Sequence, residues 1–306
     1  MADVGYSEKQ FETYINAALM HSSNCCFTPN TYEEKYFGFD AAHCINPAAF
    51  GLLGQPIGID ADFHELTGVD IHQLEAAINH RMDANESLIA NSFLQYKKPA
   101  RIKTAKGAQW SLWGEPYYRF PISVEQQVTL SALEREVSDR AWVGYAAPAL
   151  PSAASLNLFN QLGALISHTN FQRASNLDGH DYYTYVSGGG TGQACSEPEI
   201  VRSATVPSFA DEVLSHLSPI SPAKNLLVLE KGLLAASERF PIERVPVEDT
   251  GEPRLIEKPA FFDAVQRRRE TFPSETPLLR ALASVSLFMR WHSLEWVMYA
   301  QEVEET

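Results

Sequence analysis

The chain has 306 residues, with 38 Asp and Glu against 24 Lys and Arg and a net charge of −14. With 45% hydrophobic and 20% charged residues it is globular in composition and long enough to bury a core without disulfide staples, which excludes collagen-like and wholly disordered chains. A chain this acidic is a poor general binder of phosphate backbones, so any nucleic-acid binding has to rest on a local patch.

Ser7 is expected to cap an opening amphipathic helix with Phe11, Tyr14, Ile15, Ala18 and Leu19 along one side. A short helix over 31–36 should end at Gly38, with extended chain from Phe39. Residues 46–67, rich in Gly and Pro, read as irregular, and 69–82 as a helix with Ile71, Leu74, Ala77 and Ile78 on one face. Strands are expected over 91–96, 109–113 and 117–122. Ser123 and Gln126 have the spacing of a capping box that opens a helix to about Val137. The apolar run 141–147, stopped by Pro148, reads as a buried strand. A further strand over 181–186 leads into the glycine-rich run 187–192, which lacks the Lys-Ser/Thr of a P-loop and reads as a flexible turn. Helices are expected over 223–240, 259–272 and 276–302, with a proline-rich linker at 241–259. On the last of them Leu282, Met289 and Trp296 recur every seven residues, a stripe suited to packing within its own domain or to a partner or second copy.

These elements amount to an α/β fold, a mixed central sheet flanked by helices, with a mainly helical C-terminal part. The expected division is a core of residues 1–220 with an insertion at about 42–91, followed by a helical region at 221–306. The first ten residues hold no apolar run of the kind a secretory signal needs. The longest apolar-rich stretch, 278–300, is broken by Arg280, Arg290, His292 and Glu295, so no membrane span is expected. Cys25, Cys26, Cys44 and Cys195 form no Cys-x-x-Cys pair, and His21 and His43 beside them do not give a standard zinc spacing. A reducing, cytoplasmic compartment fits this usage.

Candidate chemistry concentrates in two segments. In the first, Tyr32-Glu-Glu-Lys-Tyr-Phe-Gly-Phe-Asp40, a short helix carries Glu33 and Glu34, and Asp40 opens an extended stretch. In the second, Phe93-Leu-Gln-Tyr-Lys97, strand alternation sends Gln95 and Lys97 to one face and Tyr96 to the other. Hard oxygens of this kind hold Mg²⁺ or Mn²⁺. The cation sharpens a water nucleophile, and a neighbouring lysine stabilises the charge growing on a phosphate. The set resembles the PD-(D/E)xK nuclease superfamily, in the variant with Gln as second acid, similar to Mrr-like and bacterial defence nucleases. The resemblance covers roughly 31–148 and departs from the family pattern in its Phe39-Asp40 pair and in the long separation of Asp40 from Gln95.

The resemblance implies a restriction endonuclease-like core that cleaves DNA with Mg²⁺ or Mn²⁺, in prokaryotic defence. Asp40 and Gln95 would be metal ligands, Glu34 or Glu33 would complete the shell, and Lys97 would be the catalytic lysine. It also implies a helix and then a buried strand after the Gln-x-Lys segment. From Ser87 to Gly114 there is no acid but there are Lys97, Lys98, Arg101, Lys103 and Lys106, so Lys98, Arg101, Lys103 and Lys106 are expected to contact DNA. The rival expectation is a non-catalytic module of the same fold that binds a partner protein, or a second copy, through its acidic surface and C-terminal helices.

Overall fold

The computed structural model describes residues 3–21, 87–196, 199–237, 243–246, 253–256, 264–267, 272–292 and 294–302, with single positions at 72, 75, 76, 79 and 270. Internal contacts divide the chain into two units, Met1–Cys26 with Ala90–Leu217, and Phe27–Ile89 with Ser218–Thr306. The helix expected over 31–36 and the irregular stretch 46–67 lie outside the described residues, whereas 72, 75, 76 and 79 are helical as expected.

The first unit opens with α1 (Glu8–His21), where Ser7 Oγ accepts the Gln10 N–H at 3.0 Å and so caps the helix. Phe11, Ile15 and Leu19 form its buried stripe. There follow β1 (Ser87–Tyr96), whose first three residues count with the second unit, β2 (Ala100–Ile102), α2 (Trp110–Trp113), β3 (Tyr117–Pro121) and α3 (Val124–Val137). Next come β4 (Ala141–Pro148), α4 (Ala153–Gln161), β5 (Thr169–Arg173), β6 (Tyr182–Tyr185), β7 (Gly190–Cys195), β8 (Glu199–Ser203) and α5 (Val206–Leu214). The segment 109–113 is thus a helical turn and not a strand. Gly114, at φ +66°, closes it by donating its N–H to Trp110 O at 2.8 Å.

β1 runs parallel to β4, from Asn91↔Ala141 to Tyr96↔Ala146, and β5 is antiparallel to β4. Every residue of β4 is buried, the pattern of a strand covered on both faces. Parallel neighbours require a long crossover, here residues 97–140, and α3 within it packs on β4. The second sheet is antiparallel in the order β2-β3-β6-β7-β8. Its inner face presents Tyr118, Phe120, Tyr183 and Tyr185, and Phe120 lies 5.7 Å from the Tyr145 ring of β4. Buried tyrosine hydroxyls need partners, and Tyr6 and Tyr185 donate to Leu150 O and Pro148 O at 3.0 and 3.1 Å. The glycine-rich run is not a free loop. β7 begins at Gly190, and a Cβ on Gly192 would collide with the Tyr183 hydroxyl.

In the second unit β9 (Ser218–Ile220) pairs antiparallel with the start of β1, and α6 (Pro222–Ser237) follows. The expected linker at 241–259 contains an antiparallel hairpin, β10 (Glu243–Pro246) with β11 (Pro253–Ile256), so prolines at its strand ends punctuate a ladder instead of preventing one. Positions 264–267 and 270 are helical, within the expected helix. The last helix, α7 (Pro277–His292), is shorter than expected, because Glu295–Glu302 forms β12. The seven-residue stripe therefore does not lie on one helix, and Leu282, Met289 and Trp296 are all buried, which removes it as an open partner surface. α6 and α7 pack together, with Ser284 Oγ donating to Glu230 Oε1 at 2.8 Å.

Thr276, just before α7, spends its hydroxyl on Pro273 O at 2.7 Å. The Glu75 carboxylate caps the helix instead, accepting the N–H groups of Leu278 and Leu279 at 2.8 and 2.9 Å, where the helix dipole favours a negative charge. Among the described residues no helix is long and apolar enough to cross a membrane.

The tightest approach near the parallel pair is at Gly144, where a Cβ would collide with Gln172 O of β5 and the Trp142 ring. Gly144→Ala is expected to cost about 1–3 kcal/mol in urea unfolding. Unchanged stability would contradict the close β4–β5 pairing.

Candidate functional site

The β1–β4 ladder continues one step beyond β1, because Lys97 N–H donates to Ala146 O at 3.0 Å. That bond fixes the backbone at the carboxyl end of a parallel strand, where open α/β sheets hold ligands. Tyr96 points away from Gln95 and Lys97, as expected. Its ring meets Phe11 edge-on at 5.6 Å, and its hydroxyl bonds Asn16 Oδ1.

On the other face Tyr145, the register partner of Gln95, brings its ring centre to 5.7 Å from Lys97 Nζ. The first turn of α3 supplies Gln126, whose Oε1 accepts from Lys97 Nζ. Lys97 is therefore half-buried. Burial pulls its pKa below the ordinary lysine range, and the nearby Glu8 carboxylate pulls in the opposite direction. Glu8 Oε2 also accepts the Lys98 N–H at 3.0 Å, which ties the start of α1 to the end of β1.

The expected capping box is not made. Ser123 precedes α3 as expected, but its Oγ donates to Glu125 Oε2 at 2.6 Å instead of capping the helix. Gln126 is engaged by Lys97. Gln127 accepts from the Tyr145 hydroxyl at 2.8 Å and donates to Ala174 O at 2.7 Å and Asp178 Oδ1 at 2.8 Å. Both glutamines of the turn face the same polar cluster.

Gln95 is 3% exposed. Its Nε2 donates to Tyr96 O at 3.3 Å, while Oε1 is buried without a partner. Leaving such an acceptor unpaired costs about 1–3 kcal/mol, so it calls for a reason. A hard, uncharged oxygen beside a lysine suits one position in the shell of Mg²⁺ or Mn²⁺. Asp40, Glu33 and Glu34, expected to supply the rest, lie outside the described residues, as do Cys25, Cys26, His43 and Cys44. Among the described residues no three His, Cys, Asp or Glu side chains gather as a metal cage.

Of the cations expected to contact DNA, Lys103 and Lys106 are exposed. Lys98 pairs with Asp3 Oδ1 at 2.8 Å in an exposed ion pair of small energetic weight. Arg101 is opposite Tyr118 in the register, on the inner face, where its charge partly offsets the burial that raises the Tyr118 phenol pKa. Gln126, Tyr145 and Glu8 were not singled out by sequence. The pattern offered only a capping role for Gln126 and a strand position for Tyr145.

Comparison with protein-family models, with curated proteins and with solved structures finds no match.

The lowered Lys97 pKa has a defined consequence for stability. Between the folded value and the unfolded value of about 10.4, the unfolded chain holds a proton that the folded protein has released. Stability contributed by Lys97 is thus present above about pH 10.4 and lost as pH falls through the folded pKa. Relative to Lys97→Met, wild type should gain stability as pH rises from neutral toward that value, measured by urea unfolding. A difference that is flat or falls with pH would contradict the burial of this ammonium.

Proposed function

We propose that the protein is a metal-dependent nuclease that hydrolyses DNA phosphodiester bonds in the cytoplasm, with Gln95 and Lys97 at the reacting centre. The observation that carries this reading is their pairing on one face of β1, at its carboxyl end, a buried amide oxygen without a partner beside a half-buried ammonium. The helix and buried strand implied by the resemblance to PD-(D/E)xK enzymes also follow, as α3 and β4, and β4 lies parallel beside β1. A role in prokaryotic defence rests on that resemblance alone.

Gln95 Oε1 and Asp40, with Glu33 or Glu34, would hold Mg²⁺ or Mn²⁺, which supplies an acidified water and neutralises charge on the phosphate. Lys97 Nζ, steadied by Gln126 and the Tyr145 ring, donates to a phosphate oxygen or to the attacking water and offsets the charge gained in the transition state. Its half-burial strengthens that interaction, since less water screens it.

A second reading is a non-catalytic module of the same fold that binds a partner protein. The net charge of −14 favours it, as does an uncharged Gln95 where a second acid would strengthen metal binding.

Lys97→Ala should lower Mg²⁺-dependent DNA cleavage roughly a hundredfold or more while the far-UV circular dichroism is retained. EDTA should abolish wild-type cleavage. Cleavage that survives in Lys97→Ala would place the chemistry elsewhere. No cleavage by wild type on plasmid or linear DNA, with Mg²⁺ or Mn²⁺, would favour the binding module.

A further inference from the structure

α4 (Ala153–Gln161) turns one whole side outward. Ala154, Asn157, Leu158, Gln161 and Leu162 are all exposed, and their spacing of three and four residues places them on a single helix face. Leu158 is 51% exposed and Leu162 65%. The opposite side is seated by Leu156, which is fully buried. Both helix ends are closed. Ser152 Oγ accepts the Ser155 N–H at 3.2 Å. Leu162 N–H donates to Leu158 O at 3.0 Å and Ala164 N–H to Phe159 O at 2.9 Å, with Gly163 at φ +65°. The two leucines therefore stand on a finished helix end and are not displayed by fraying.

The composition of this face is unusual for the outside of an acidic protein. The solvent side of a surface helix ordinarily carries charges. Here there are none: from Ala141 to Gln172 the chain has no Asp, Glu, Lys or Arg, although 20% of its residues are charged. The face offers two large aliphatic side chains, the small Ala154, and the amides of Asn157 and Gln161, which both donate and accept hydrogen bonds. Asn157 also ties the helix to α1, its Oδ1 accepting from Gln10 Nε2 at 3.3 Å.

We infer that this face of α4 is where two copies of the chain meet, helix against helix about a two-fold axis. Charge selects the occupant. Two bodies of net charge −14 repel each other wherever their acids approach. An uncharged face lets them touch without bringing like charges together or stripping water from an ion. A basic partner gains nothing at a face without acids and is drawn to the rest of the surface. An anionic membrane repels the chain, and the face holds no cation to offset that. A second copy brings the same uncharged surface, and a two-fold contact needs a surface that complements itself. Leucine against leucine and amide against amide meet that condition. The face is roughly 14 Å long at ~1.5 Å per residue, well short of the about 800 Å² per partner that stable complexes bury. The pairing is accordingly weak, with a dissociation constant on the order of 10–300 μM. It uses none of the residues of the Gln95–Lys97 centre and does not depend on the nuclease reading.

The test is sedimentation equilibrium of the full chain from about 5 to about 500 μM, in about 50 and about 500 mM NaCl. Wild type should pass from monomer to dimer across this range. The passage should come at several-fold lower concentration in the higher salt, which screens the repulsion between two acidic chains. Leu158→Lys with Leu162→Lys should keep the chain monomeric throughout, because it sets ammonium groups against one another across the axis. Leu158→Ala with Leu162→Ala adds no charge and should weaken association about tenfold. Both positions are exposed, so far-UV circular dichroism should match wild type in each variant. Wild type that stays monomeric at the highest concentration in both salts would overturn the inference. So would association as strong in the lysine variant as in wild type, or association that weakens as salt rises, the mark of a charge-paired contact. None of these outcomes turns on DNA cleavage, so failure of the nuclease reading and failure of this one are told apart.

Discussion

Six residue pairs, from Asn91↔Ala141 to Tyr96↔Ala146, hold β1 parallel to β4, and almost everything at the candidate site depends on that register. A slip of one residue would send Gln95 and Lys97 to the α1 side and turn Tyr96 toward α3. The pairing is specified from both directions. β4 is apolar enough to be buried along its whole length, and Tyr96 is anchored by Phe11 and Asn16 of α1. Lys97 N–H then extends the ladder to Ala146 O, so the lysine's backbone is as fixed as a core residue's while its side chain reaches a polar cluster.

That cluster is where local rules give way. Ser123 and Gln126 have the sequence of a capping box, yet the glutamine serves Lys97 and the serine serves Glu125. Gln95 keeps a buried oxygen unpaired, and Lys97 is held where burial disfavours its charge. Each departure gives up some stability, and such departures collect where a protein binds or reacts. The structural tyrosines behave differently: Tyr6 and Tyr185 each find an acceptor, as ordinary buried hydroxyls do.

Where the side-chain period was strong, the sequence was a sound guide. The Ser7 cap, the stripe on α1, the turn of Tyr96 to the face opposite Gln95 and Lys97, and the burial of β4 all follow from spacing and apolarity. It misled where a single residue or a distant partner decides. Gly114 turned an apparent strand at 109–113 into a helical turn. The β-favouring Trp-Val-Met-Tyr run after His292 ended α7 and started β12. The hairpin at 243–256 was hidden by prolines that sit at its ends. Glu75 caps α7 from about 200 positions away, a partnership no local window can display. The candidate site was legible as far as strand geometry reaches, to Gln95 and Lys97. Gln126, Tyr145 and Glu8 join it only through the crossover and the packing of α1.

We propose that Gln95 Oε1 is left unpaired because a divalent cation binds there. Crystals of the Lys97→Ala protein grown with Mn²⁺ test it through the ion's anomalous scattering. The expected result is a single strong peak at about 2.1 Å from Gln95 Oε1. A peak bound only by residues other than Gln95 would contradict it.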